Sequence, residues 1–184
     1  GLDRPLADLC PHEGHVLALP DDTLEPLWRS LESDELLFSP RGYVYLIVPS
    51  RKSPGMAPPG AESVCLFALA PYRDHAFWEA NRRRMTDALL ARAERVAPGI
   101  ARAARFVESS TPLTIERHTG ADDGAIYGWA ATAGQGGANR LSPVTPWENL
   151  ALAGHWTRPD SGISAAAYSG HLAARMARRQ LGAA

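Results

Sequence analysis

The sequence predicts a mixed fold of helices and a β-sheet, of the α+β or α/β class. Two apolar runs rich in branched and aromatic residues, 43–48 and 63–69, predict neighbouring, well-buried strands. Residues 74–97 follow a helical pattern that ends at a Pro-Gly pair. Near the end of the chain, the run 150–153 predicts a further strand, apolar on both faces as in a parallel sheet, that leads into a final helix.

The first part of the chain adds two elements and a connection. Residues 15–19 form an apolar stretch typical of a strand. Residues 21–23 predict a helix cap, because the leucines and the tryptophan that follow recur at helical spacing as far as Leu31. The proline-rich residues 49–60 predict a turn between the two strong strands.

Asp74 is placed to cap the long helix, whose apolar residues fall on one stripe. We expect its arginines to cover much of the remaining surface. A strand over 105–110 and a short helix over 111–118 follow, and residues 120–146 lack periodicity, which predicts a long and functional loop. The stripe consists of Trp78, Met85, Leu89 and Val96, and the arginines are Arg82, Arg83, Arg92 and Arg95.

Composition argues against several classes of function. The 184 residues carry a formal net charge of −1 and have a pI near 6.7, so no electrostatic case exists for nucleic-acid binding. The two cysteines, Cys10 and Cys65, lack metal or redox spacing. His12 and His15 near Cys10 do not supply the two ligand pairs of a closed zinc site, so no metal is predicted. No apolar run approaches the ~20 residues that span a bilayer.

The most informative segment joins the predicted last strand to the last helix. The strand ends at Gly154, a polar turn follows, and Ser161-Gly162 precedes a helix whose first turns hold mostly small residues. Small residues let another group approach the backbone, and a helix start presents unpaired N–H groups with a partial positive charge. This arrangement suits a bulky anionic or electron-rich cofactor.

Residues 149–170, NLALAGHWTRPDSGISAAAYSG, resemble the C-terminal flavin-binding motif of the phytoene desaturase-like FAD-dependent oxidoreductases. That family includes carotenoid desaturases, carotenoid isomerases and retinol saturases, and it lies within the amine oxidase-like flavoproteins. The resemblance implies a substrate-domain segment with a β-sheet and helices at 1–118 and a crossover and pocket-lining loop at 119–148. It further implies that residues 149–184 are the C-terminal strand and helix of a Rossmann-type FAD-binding domain.

FAD is the cofactor that the resemblance implies. Its ribityl chain, its pyrophosphate side and the N1/O2 edge of its ring would approach the turn and the helix start. The alternative is an ordinary strand–helix unit whose small residues serve close packing. The implied cofactor-binding residues are Gly154, His155, Ser161, Gly162, Ile163 and Ser164.

Two positions in the motif leave alternatives open. Asp160 and Ser161 stand where a Gly-Gly pair is common in the family. Because Asp160 adds negative charge beside an anionic cofactor, either it points outward and pairs with Arg158 or the loop is slightly displaced. His155 either hydrogen-bonds the ribityl hydroxyls or faces solvent.

Three aromatic residues complete the implied site. The resemblance places Tyr127, Trp129 and Trp156 in the substrate pocket on the flavin face, where they would stack on a flat conjugated substrate or enclose the ring. The alternative is that they belong to the hydrophobic core, because large aromatic residues dominate burial.

One half of a dinucleotide site is missing from the sequence. A strand, a G-x-G-x-x-G turn and a helix normally hold the pyrophosphate, yet the glycine cluster at 134–137 follows no apolar strand and precedes no helical pattern. The sequence also opens on Gly1. We therefore expect the C-terminal part of a longer enzyme: a fragment, a nicked product or one subunit of a split flavoprotein. The N-terminal Rossmann segment, or a separate partner chain, would carry the fingerprint.

The resemblance implies an oxidoreductase that exchanges hydride between FAD and C–H or C=C bonds of an apolar, polyene-like substrate. The absence of a strong acid/base pair in the implied pocket favours desaturation, saturation or isomerisation, and no catalytic residue is assigned. The alternatives are a flavin amine oxidase-like enzyme and a non-catalytic partner that completes another chain's flavin site. A cytoplasmic location is expected, and peripheral membrane contact stays open because polyenes dissolve in lipid.

Overall fold

A computed structural model of the chain describes residues 1–6, 15–19, 25, 34, 37–130 and 132–182. These residues form two compact units, Gly1–Thr114 and Ile115–Ala184. The described part is a mixture of helices and a small antiparallel sheet, so the coarse α+β prediction is confirmed. The predicted helix over 21–31 lies almost entirely outside the described residues, as do Cys10 and His12.

The first unit contains a three-stranded antiparallel sheet. Its strands are β1 (His15–Ala18), β2 (Val44–Ile47) and β3 (Cys65–Phe67), in the spatial order β1-β2-β3. The structure thus confirms the strands predicted within 15–19, 43–48 and 63–69, and the predicted neighbourhood of the latter two. Leu46 lies opposite Val16 on one side and Leu66 on the other.

The two faces of this sheet differ in burial because side chains alternate along a strand. Leu46 is 1% exposed and belongs to the core, whereas Leu17 and Phe67 on the opposite face are 56% and 48% exposed. The prediction that both strong strands are well buried is therefore wrong for β3. It is an edge strand, and both Cys65 and Phe67 point to the uncovered face.

The described part of the first unit contains four helices, of which the second and fourth were predicted from the sequence. They are α1 (Pro49–Lys52), α2 (His75–Glu94), α3 (Ile100–Ala103) and α4 (Pro112–Thr119), the last of which crosses the boundary between the units. The Asp74 carboxylate accepts a hydrogen bond from the Phe77 N–H at 2.8 Å and caps α2 as predicted.

Two connections differ from the prediction. The segment between β2 and β3 is not a simple turn, since it contains α1 and a 3₁₀ turn at Pro54–Met56. Residues 105–110 do not form a strand. Ala104 makes a single bridge to Leu2, and Gly1 hydrogen-bonds to the backbone of Arg105 and Phe106, but no described strand continues this ladder along the segment.

The core of the first unit lies between the sheet and helices α2 and α3. The predicted stripe of α2 faces inward, with Trp78 and Met85 buried and Leu89 and Val96 half-buried. One cluster consists of Leu2, Leu6, Leu46, Val48, Ala93, Ala97, Ile100 and Ala103, and a second is built on Leu37, Trp78 and Met85.

Arg92 departs from its predicted place on the solvent side of α2. It is 2% exposed, and its guanidinium donates hydrogen bonds to the carbonyls of Leu37, Ser39 and Tyr43 at 2.6–2.8 Å. Burial, with a smaller contribution from Arg95, lowers the pKa of Arg92 to about 10, so the side chain is still charged at neutral pH. The guanidinium thus fixes the loop that leads into β2.

The second unit consists of one long helix and irregular chain. The helix α5 spans Ile163–Gln180, and two 3₁₀ turns occupy Asp122–Gly124 and Gly137–Asn139. The helix and the long loop before it agree with the prediction. The strand predicted over 150–153 does not form, since this stretch makes one isolated bridge, from Ala151 to Val144. A strand needs a neighbour, and the described residues of this unit contain no other strand.

The second unit also lacks a hydrophobic core among its described residues. Apart from Pro143, none of its apolar side chains is fully buried; its other buried side chains are Arg140, Thr157 and Ser169. Large apolar side chains are instead exposed on its surface, with Ile163 at 90% and Trp147 at 63%. Within the described part of the chain, no helix combines the length and apolarity needed to cross a bilayer.

Candidate functional site

The turn after residue 153 is held in place by hydrogen bonds on both sides. Gly154 has a φ of +115°, a value that side-chain-bearing residues rarely adopt. Its carbonyl accepts from the Thr157 hydroxyl at 2.9 Å, and its N–H donates to the Ser169 hydroxyl at 2.8 Å. Because Ser169 lies within α5, it ties the turn directly to the helix.

Ser169→Ala should destabilise this turn. The serine is 0% exposed, and its hydroxyl also donates to the Ala166 carbonyl at 2.7 Å. Alanine leaves the Gly154 N–H without its acceptor, which costs about 1–3 kcal/mol for a buried group. Urea unfolding followed by circular dichroism measures the loss, and Ser164→Ala on the exposed first turn of α5 is the matched control, expected to change stability by less than about 0.5 kcal/mol. Equal effects of the two substitutions would contradict the assigned tie.

The helix α5 begins at a glycine in a conformation reserved for glycine. Gly162 has φ +96° and ψ 164°, and no side chain caps the helix. Its N–H donates to His155 Nδ1 at 3.4 Å, so the half-buried imidazole contacts the helix start. The contact requires an unprotonated Nδ1. The hydrogen bond of His155 to the ribityl hydroxyls and its solvent-facing orientation both stay predictions.

Open space surrounds the backbone at both glycines of the motif. A Cβ placed on Gly154 or Gly162 would meet no atom within 4 Å. Ile163 is 90% exposed and Ser164 is exposed, so the first residues of α5 also leave their backbone approachable. The glycines therefore serve backbone conformation and access, and they do not fit against a neighbouring element.

Asp160 forms an ion pair that the sequence did not predict. Its Oδ1 accepts from the Ser161 N–H at 2.7 Å and lies 3.4 Å from Arg140 Nη1. Of the alternatives left open for Asp160, the outward orientation is seen, with 55% exposure of the side chain, but the partner is Arg140 where the alternative named Arg158. Arg140 in contrast is 98% buried at its side chain, and its Nη2 donates to the His155 carbonyl.

The structure brings two of the three predicted pocket aromatics together. The rings of Trp129 and Trp156 meet edge to face, with centroids 4.8 Å apart and an interplanar angle of 83°. A Cβ on Gly128 would lie 3.2 Å from Trp156 Cδ2, so that glycine permits the close approach. Tyr127 is not part of the pair. Tyr127, Trp129 and Trp156 are 58%, 49% and 36% exposed.

Arg140 and Ser169 are the site residues that sequence reasoning missed. Ser169 had only a weak signal, as a small hydroxyl residue in an alanine-rich helix, nearly two turns after its start. Arg140 had no such signal, because its neighbours His155 and Asp160 lie 15 and 20 residues away in the chain.

Comparison with known proteins adds no family to this geometry, since the chain matches no protein-family model and no curated protein significantly. The flavoprotein assignment consequently depends on the motif and on the site alone.

Proposed function

We propose that this chain supplies the substrate domain and the C-terminal flavin segment of an FAD-dependent oxidoreductase that acts on an apolar, polyene-like substrate. The observation that carries the proposal is the start of α5. An uncapped helix of 18 residues begins at Gly162, whose φ and ψ exclude other residues and whose surroundings are open. Unpaired N–H groups with room in front of them are what an anionic or electron-rich cofactor requires.

Backbone access and charge around this helix start support a flavin dinucleotide as the cofactor. Gly154 and Gly162 leave the backbone accessible on both sides of the turn, and the helix end contributes a partial positive charge. Arg140 adds a buried cation nearby, whereas Asp160 adds one opposing charge. Ile163 and Ser164 would hold the cofactor through backbone N–H groups, Gly154 and Gly162 would let it approach the backbone, and His155 and Ser161 would add polar side chains.

When bound, FAD would supply the hydride acceptor or donor at flavin N5, and the protein would position the substrate and exclude water. The exposed pair Trp129 and Trp156, with Tyr127, offers the apolar, flat surfaces on which a conjugated substrate stacks. No residue of this chain is assigned to proton transfer.

The missing core of the second unit supports the expectation of a second polypeptide segment. A compact unit normally buries its large apolar side chains, yet Trp147, Leu150 and Ile163 are 63%, 44% and 90% exposed. A Rossmann segment that carries the G-x-G-x-x-G fingerprint, on this polypeptide or on a partner, would cover such surface and grip the pyrophosphate.

We expect the 184-residue chain by itself to bind FAD weakly or not at all, because it carries half of the proposed site. Titration calorimetry with FAD tests the isolated chain. Absorbance spectra are then recorded after this chain is mixed with a polypeptide that carries the G-x-G-x-x-G fingerprint and is encoded next to this chain. Yellow colour that appears with both polypeptides together supports the proposal. Tight stoichiometric binding by this chain alone would contradict the need for a partner, and a complex that never retains flavin would contradict the flavoprotein function itself.

A further inference from the structure

We propose that Arg140 and the start of α5 form a binding site for a phosphate-type anion, and that the Asp160 carboxylate occupies this site as an internal competitor. Arg140 provides the first observation. Its side chain is 2% exposed, yet its Nε and Nη1 find no hydrogen-bond acceptor among the residues that the structure describes. Buried guanidinium groups are normally satisfied by carboxylates, carbonyls or phosphates. Two buried donor atoms without acceptors therefore leave hydrogen-bonding capacity that further anionic oxygen atoms would satisfy.

The unsatisfied guanidinium lies beside the loop that enters α5. Asp160 Oδ1 sits 3.4 Å from Arg140 Nη1 and accepts from the Ser161 N–H, one residue before Gly162. A single carboxylate oxygen thus links the buried cation to the helix entrance. The helix has no side-chain cap, and its first N–H groups cannot find acceptors within the helix. The cation and the helix end together favour an anion with several oxygen atoms.

Asp160 is suited to be displaced. Its side chain is 55% exposed, so it can turn into solvent and remain hydrated. It lies too far from Nη1 for a full hydrogen bond, and it leaves Nε unsatisfied. A phosphate group presents more oxygen atoms and a larger charge than one carboxylate, so it satisfies the cation and the helix end together. Identifying this anion as the pyrophosphate of FAD rests on the proposed function; the site itself does not.

The test measures binding of inorganic pyrophosphate to the 184-residue chain at fixed ionic strength, by titration calorimetry and ³¹P line widths. Asp160→Asn should bind at least about tenfold more tightly than the unchanged chain, because one competing charge is gone. Arg140→Gln combined with Asp160→Asn should lose that gain, and Arg140→Gln alone should bind no more tightly than the unchanged chain. Glu148→Gln and Arg175→Gln, which neutralise exposed charges of the same unit, are matched controls that should not change the affinity.

A second variant, Asp160→Ser, guards against a folding artefact. Circular dichroism confirms that each variant keeps its helices. If both Asp160 variants are folded and bind no better than Glu148→Gln, the proposal is wrong. If both lose their helices, Asp160 is a structural counter-ion of Arg140 and the proposal is equally wrong.

The pyrophosphate measurements test the anion site separately from the FAD function. Tighter pyrophosphate binding by Asp160→Asn, with no flavin retained after mixing with the partner polypeptide, supports the anion site and contradicts the FAD function. If the complex retains flavin but pyrophosphate binding is unchanged by substitutions at Asp160 and Arg140, the FAD function is supported and the anion site is contradicted.

Discussion

If the proposed flavoprotein function holds, Gly162→Val is expected to abolish flavin binding by the assembled complex while the strands β2 and β3 stay folded. The branched side chain would project into the open space before α5, where the cofactor is proposed to meet the backbone. The substitution also forces valine to φ +96° and ψ 164°, which costs about 1–3 kcal/mol or displaces the turn. Helix propensity predicts no such loss, since valine is no worse than glycine within a helix. Flavin absorbance of the purified complex is the measurement.

Gly120→Val is the matched control for this substitution. Gly120 also lies in the second unit, has a φ of +69° and has no atom within 4 Å of a Cβ placed on it. Valine at this position would therefore introduce similar backbone strain outside residues 149–170. If both variants lose flavin equally, the loss reflects strain in the unit, and if Gly162→Val keeps its full flavin spectrum, the site is assigned to the wrong turn.

Arg92→Met is expected to destabilise the first unit by about 3 kcal/mol or more. Methionine retains much of the aliphatic volume but leaves the carbonyls of Leu37, Ser39 and Tyr43 without their donors, and each buried unsatisfied acceptor costs about 1–3 kcal/mol. The Arg92 side chain also packs closely against Gly42, because a Cβ placed on Gly42 would lie 2.4 Å from Arg92 Cζ. Loss of this packing adds to the expected destabilisation. Urea unfolding monitored by circular dichroism gives the free energy.

Arg83→Met provides the comparison on the same helix. Arg83 is exposed, and exposed substitutions change stability by less than about 0.5 kcal/mol. An Arg92→Met variant as stable as Arg83→Met would mean that the loop entering β2 does not depend on the guanidinium.

Features encoded by neighbouring residues were predictable from the sequence. Asp74 caps α2 through an N–H three residues on, and β2 and the final helix show their periodicity within a few residues. Gly162 could be predicted as the residue before the last helix, because a helix start depends on the residues next to it. Such elements follow from short-range hydrogen bonding and side-chain spacing.

Features that depend on distant partners were not predictable. Arg92 has the sequence signature of a solvent-facing arginine, and its burial depends on carbonyls 49 to 55 residues away. The apolar run at 150–153 has the composition of a buried strand but finds no neighbour in the described chain. Likewise, Asp160 has Arg158 beside it in the sequence, yet the fold brings Arg140 to it.

The exposed apolar surface of the second unit would affect how much of this polypeptide a cell can maintain in folded form. Because association covers such surface in the bound state, the stability of the unit rises with the concentration of whatever binds there, by mass action. If a separate partner chain covers this surface, as proposed, polypeptide in excess of that partner would be the population most open to aggregation and proteolysis. The supply of the partner would then set the steady-state abundance of the chain, without any dedicated regulatory element.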